Sequence, residues 1–120
     1  MTIMFYDALE TTESNVGDTW YEVASKSGDL DVGQYFIWIF TEYRGQLTDQ
    51  TAHIRFLVDG TERGHDYHIP EVAGEYKAFS VFGLLDVTVF GSHTVSVEIK
   101  GGSATQTVGV RRRRLTVMKE

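Results

Sequence analysis

The sequence predicts an all-β chain, an antiparallel jelly-roll-like β-sandwich of eight to ten strands. Three observations predict it. Apolar and polar residues alternate with period two in Ala52–Val58 and again in Val95–Ile99, the signature of strands with one buried face. Nothing repeats with helical spacing over the ~10 residues that a helix would need. Segments rich in Gly, Ser, Asp and Thr, such as Glu13–Asp18 and Ser25–Gly33, recur between the apolar runs, as turns do in a sandwich or barrel.

In chain order, strands are expected at Ile3–Tyr6, Thr19–Ala24 and Gln34–Tyr43. In Ala52–Val58, the residues Ala52, Ile54, Phe56 and Val58 alternate with His53, Arg55 and Leu57. Asp59-Gly60 follows at once, a pair that favours the left-handed conformations of a tight hairpin turn. Thr61–Ile69 returns as a weaker strand and stops at Pro70. Glu75–Phe82 and Leu85–Phe90 read as two further strands. Gly91-Ser92 then leads into a strand with Val95, Val97 and Ile99 on one face. Gly101-Gly102-Ser103 turns it back into Thr105–Val110. The absence of cysteine argues against an immunoglobulin domain with its disulfide. Residues 1–120 are read as a single β-sandwich domain, without repeat or linker.

Two strands depart from the simple alternation. Gln34–Tyr43 is apolar on both faces, with Tyr35, Ile37 and Ile39 on one and Phe36, Trp38 and Phe40 on the other. The first set is assigned to the core, because the second runs out into Glu42 and Arg44. Phe36, Trp38 and Phe40 then form either an exposed interface patch or a patch covered by a loop or the N-terminal segment. The second departure is at the end of the chain. Val108 and Val110 have one parity, and Leu115 and Val117 have the other. A bulge within Arg111–Arg114 would restore both pairs to the core by adding one residue.

Charge is unevenly placed. The net charge is −6, and Arg111, Arg112, Arg113 and Arg114 are four of only 11 basic residues. An acidic body repels nucleic acid at long range. The arginine run is therefore expected to meet carboxylates, either at a subunit interface or within the chain at residues such as Glu98 or Asp86. No apolar run reaches the ~20 residues that span a bilayer. Met1–Glu10 has no basic region and carries Asp7 and Glu10, so it is not read as a secretory signal.

Catalytic and cofactor signatures are missing. With no cysteine, thiol chemistry and cysteine-based zinc sites are excluded. No Gly-x-Ser-x-Gly elbow, phosphate loop or dinucleotide fingerprint occurs. His65-Asp66-Tyr67-His68 is the only histidine cluster and is read as polar loop residues rather than a metal site. Asp29-Leu30-Asp31 lacks the remaining ligands of a calcium loop. The expectation is a non-enzymatic chain with no catalytic residue, no metal and no cofactor.

The run Gly91-Ser92-His93-Thr94-Val95-Ser96-Val97-Glu98-Ile99-Lys100, a glycine turn, and Val108–Val117 with Arg-Arg-Leu-Thr-Val resemble the closing strands of small jelly-roll virion proteins. The likeness is to phage structural proteins with the tumour-necrosis-factor/C1q-like sandwich, and it covers loosely Trp20–Val117. The doubled arginine pair departs from that pattern and leaves the role of the last strand open. The resemblance implies a capsid decoration (cement) protein that binds a major capsid protein or another virion protein. It implies a homo-oligomer, a trimer in the first instance, located in the virion after assembly in the host cytoplasm. Phe36, Trp38, Phe40 and the four arginines would form its interfaces. The alternative is a tail-fibre or tail-tip module that binds a receptor or carbohydrate, with Trp20, Tyr43 and Tyr67 as exposed stacking platforms. With no fibre-forming segment ahead of the sandwich, the first class is expected.

Overall fold

The alternation that marks Ala52–Val58 places Ala52, Ile54, Phe56 and Val58 in the core of the computed structural model, which describes residues 2–119. Nine strands are formed: β1 (Thr2–Leu9), β2 (Glu13–Val16), β3 (Tyr21–Leu30), β4 (Gly33–Gly45), β5 (Ala52–Val58), β6 (Thr61–His68), β7 (Tyr76–Val87), β8 (Gly91–Gly101) and β9 (Thr107–Lys119). No helix occurs among the described residues. The strands build two antiparallel sheets. One has the order β1-β9-β4-β7, with β2 pairing the first half of β9; the other has the order β3-β8-β5-β6. Their inner faces supply the core, including Tyr35, Ile37 and Ile39 from one sheet and Ile54, Val97 and Ile99 from the other. The expected all-β sandwich is the fold.

The hairpin at Asp59-Gly60 forms as its sequence requires. Both residues have positive φ, 52° and 79°, and they close Val58 onto Thr61. This is the backbone of the primed two-residue turn whose twist matches the flanking strands. One residue is then absorbed by a register shift between Phe56 and Leu57. Opposite Phe56 lies Gly64, where a Cβ would sit 2.5 Å from the Phe56 ring. The strand can cross there only without a side chain.

Four boundaries differ from expectation. Glu75–Phe82 and Leu85–Phe90 are one strand to Val87, because Phe79, Val81, Gly83, Leu85 and Val87 keep one parity through Gly83 against a continuous β4. Ser25–Leu30 is strand rather than loop: it pairs with β8 as far as Leu30↔Gly91, and Leu30 is fully buried. The turn expected in Glu13–Asp18 contains β2, held by β9. Gly91-Ser92 likewise belongs to β8. In each case a long partner strand imposed pairing on residues with low intrinsic strand preference.

The expected bulge is present. Phe40 pairs with Arg114 and Glu42 with Arg111, so β9 has one residue more than β4 across Thr41. Arg112 takes φ 53°, and parity changes between Val110 and Leu115, both of which are buried. The bulge turns Arg113 into the interior, where it is 2% exposed. Its guanidinium donates to Glu13 Oε2 and Val23 O at 2.7 Å, to Thr11 O at 2.6 Å and to Thr11 Oγ1 at 3.0 Å. Arg113 thus ties the β1–β2 corner and β3 to β9.

Candidate binding face

Strand alternation on β6 splits the histidine cluster. His65 and Tyr67 point outward, while Asp66 and His68 turn toward the rim between the sheets. The expected return strand Thr61–Ile69 forms as β6, and the reading of its histidine cluster as loop residues is corrected, because β5 pairs with the segment from Ala52↔His68 to Val58↔Thr61. That pairing sets His53 beside Tyr67 and Arg55 beside His65 on the outer face of the four-stranded sheet.

Trp20, just before β3, completes this face. Its ring meets His65 edge-on at 5.4 Å and His53 at 6.4 Å between centroids. The Arg55 guanidinium carbon lies 4.2 Å, and Lys100 Nζ 4.8 Å, from the Trp20 ring centre. These distances suit cation–π attraction. Arg55 is itself held by Glu98 Oε1, which accepts from Nη2 at 2.6 Å and from Nε at 2.8 Å. Tyr67 stacks on His53 with centroids 5.4 Å apart and an interplanar angle of 27°. It remains 60% exposed.

The two histidines are coupled. His53 Nδ1 lies 2.9 Å from His65 Nε2, so one donates and the other accepts. His53 Nε2 also lies 2.9 Å from Thr51 Oγ1. Burial lowers the pKa of His53, and the neighbouring His65 and Lys100 lower it further. No group of three or more His, Cys, Asp or Glu among the described residues is placed to hold a metal ion.

Chemically, the face combines flat rings with hydrogen-bonding tips. A sugar ring has an apolar C–H face and a rim of hydroxyls, so an exposed aromatic beside polar side chains matches both parts. Trp20 and Tyr67 are among the aromatics that the sequence marks as stacking platforms, and the fold brings them to one surface. Tyr43, the third, is corrected: it is 0% exposed on the inner face of β4. Its hydroxyl donates to Asp66 Oδ2 at 2.9 Å. Burial, then that carboxylate, pushes its pKa up. Burial opposes ionisation of Asp66, but hydrogen bonds from Tyr43 and Lys77 outweigh it and hold the carboxyl below its ordinary value. The participation of His53 and His65 was missed in the sequence. The hairpin signal at Asp59-Gly60 places both histidines on neighbouring strands, but a two-residue turn alone would set His53 opposite Asp66. Only the extra residue of β6 opposite Phe56–Leu57, which the sequence does not signal, brings His65 to the His53 face.

Phe36, Trp38 and Phe40 lie elsewhere, half-buried on the outer face of the five-stranded sheet. No described loop or N-terminal segment lies across them: β1 sits beside β9 in the same sheet. The four arginines find carboxylates inside the chain. Arg111 and Arg112 both pair with Glu42, at 3.0 and 3.1 Å, and Arg114 pairs with Glu10. Burial opposes the charge on Glu42, but the two guanidiniums prevail and keep its pKa low. Glu98 and Asp86, the expected partners, are not used: Glu98 serves Arg55 and Asp86 accepts from Gln34. As an interface residue Arg113 is corrected, because the bulge buries it. Arg111, Arg112 and Arg114 keep part of their surface open.

No protein-family model matches the chain, and no curated protein matches it. Solved structures do match in fold. The C-terminal domain of EclA, described as a sugar-binding protein, superposes with a TM-score of 0.58 at 13% identity, covering 92% of this chain and 79% of that one. The CBM36-1 domain of a multidomain xylanase from the hindgut metagenome of Trinervitermes trinervoides gives 0.53 at 6% identity, over 92% and 96%. Dimeric latent PorU from Porphyromonas gingivalis gives 0.53 at 8% identity, over 99% of this chain and 13% of that one. At such identities the likeness is one of fold: a jelly-roll β-sandwich of the carbohydrate-binding-module type.

Proposed function

We propose that this chain is a non-catalytic recognition module that binds carbohydrate on the outer face of its four-stranded sheet. The observation that carries the reading is the cluster of Trp20, His53, His65 and Tyr67, with Tyr67 60% exposed and Trp20 flanked by two cations. Fold neighbours described as a sugar-binding protein and as a carbohydrate-binding-module domain of a xylanase support it. In this reading Tyr67 stacks on a sugar ring, and the half-buried Trp20 under Arg55 and Lys100 holds the face together beside it. The histidines, Lys100 and Glu62, whose carboxylate lies 3.4 Å from Arg55 Nη1, take the hydroxyls. The module adds affinity for a polysaccharide without cleaving it. Of the two expected function classes this is the alternative. A part of a phage head would rest on the other sheet face alone, and the fold neighbours add nothing to it.

Affinity electrophoresis in gels containing soluble xylan, mixed-linkage glucan or mannan tests the proposal. At least one polysaccharide should retard the chain, and Trp20→Ala and Tyr67→Ala should each remove that retardation while the fold is retained. Migration unchanged by all three polysaccharides, or retardation indifferent to both substitutions, would sink it.

A further inference from the structure

The outer face of the five-stranded sheet carries an ordered apolar lattice. Strand registers align Ile3, Met118, Phe36 and Leu84 in one row across β1, β9, β4 and β7. The next row is Tyr6, Thr116, Trp38 and Phe82, and the third is Ala8, Arg114, Phe40 and Ser80. Exposure is large at both flanks: Ile3 57%, Tyr6 60%, Phe82 66% and Leu84 50%. Trp38 and Phe82 stack across the β4–β7 ladder. Polar pairs close the lattice at its ends, Gln34 with Asp86 at one and Glu42 with Arg111 and Arg112 at the other. An apolar centre with a polar rim is how protein interfaces are built.

We propose that this face binds a second copy of the chain, face to face, about a two-fold axis parallel to the strands between β9 and β4. That operation places β1 over β7 and β9 over β4 of the partner while preserving the rows. Each position then meets one of fitting size or chemistry. Trp38 covers the small Thr116, Phe36 meets the Met118 thioether, Tyr6 meets Phe82, Ile3 meets Leu84, Ala8 meets Ser80, and Phe40 receives the Arg114 guanidinium. Large against small is what lets facing layers interdigitate, and sulfur–ring and cation–ring contacts are favourable. The lattice is thus complementary to itself. Two such faces would remove on the order of 1,200 Å² from water, where the range of specific, stable interfaces begins. A regular sheet face also accepts another sheet at ~10 Å with aligned strands. A dimer takes the place of the trimer that the virion resemblance implies.

Sedimentation velocity of the purified chain at micromolar concentration should show a dimer. Phe82→Asp, at a position already 66% exposed in one copy, should raise the dissociation constant at least about tenfold. Its circular dichroism and melting should stay those of a folded sandwich. The chain has no cysteine, so the double variant Ile3→Cys with Leu84→Cys gives a second readout. Three strand spacings, ~14 Å, separate these positions within a copy, too far for a disulfide. Oxidation should therefore yield a covalent dimer, whereas Leu84→Cys alone should cross-link poorly. A wild-type monomer, a dimer that Phe82→Asp leaves intact, or a double variant that stays monomeric on oxidation would each overturn the proposal. A monomer captured by a different protein through Trp38 and Phe82 would overturn it as well.

Discussion

The two outer faces of the sandwich arise from the same alternation and end chemically opposed. On the four-stranded sheet the outward positions of β5, β6 and β8 hold His53, Arg55, His65, Tyr67, Glu98 and Lys100, with His53 bonded to His65 and Arg55 to Glu98 across the strands. On the five-stranded sheet the outward positions of β4 and β7 hold Phe36, Trp38, Phe82 and Leu84, with little to satisfy except by removal from water. The inward positions are interchangeable in kind, both sheets contributing Ile, Val and aromatic side chains. The inner faces are constrained by the need to exclude water, and a two-layer sandwich leaves the outer faces free to differ. A polar outer face with rings suits a hydrated ligand, and an apolar one suits a dry partner.

Substitutions that separate the faces from the structure beneath them test this contrast. The largest effect is expected at Arg113, which belongs to neither face. Arg113→Ala leaves Glu13 Oε2 and the carbonyls of Thr11 and Val23 without the guanidinium that donates to them. Breaking so buried a network should cost about 3 kcal/mol, read as a lower denaturant midpoint with loss of both face activities. A variant as stable as the wild type would mean that the β1–β2 corner does not depend on this clamp.

Trp20→Ala comes next. It should abolish polysaccharide retardation yet cost only about 1 kcal/mol of stability, from the Arg55 and Lys100 contacts. Self-association should be untouched. Loss of dimerisation in this variant would show that the faces are not independent.

Phe82→Ser should do the reverse, weakening association while changing monomer stability by no more than about 0.5 kcal/mol, as exposed substitutions usually do. Retardation by polysaccharide should persist.

The smallest effect is the pH dependence. His53 is lowered from 6.5 by burial first, and His68 likewise, with Lys77 adding to it. The unfolded chain therefore binds protons at higher pH than the fold does. Stability should be complete above about pH 6.5 and decline as pH falls through the lowered folded values. Glu42 and Asp66, also lowered, extend the loss to more acidic pH. His53→Gln with His68→Gln should flatten the upper part of the melting-temperature profile between neutral pH and pH 5. An unchanged slope there would reassign it to other groups.

Local pattern determined much of this molecule. Period-two alternation specified β5, β8 and the inward face of β4, Asp59-Gly60 specified the hairpin, and the parity conflict between Val110 and Leu115 required the β9 bulge. These features depend on neighbours a few residues away, and solvent exclusion acts on them in any sandwich. Pairing decided the rest. Only the ladder with β8 made a strand of Ser25–Leu30, only a continuous β4 joined the two halves of β7, and only the bulge selected Arg113 for burial among four identical neighbours. The aromatic–histidine face joins Trp20 to residues 33 to 47 positions later, and the apolar lattice joins Tyr6 to Phe82 through two intervening strands. Such proximities come from strand order, which is set by how the whole chain buries its apolar area and not by any segment alone.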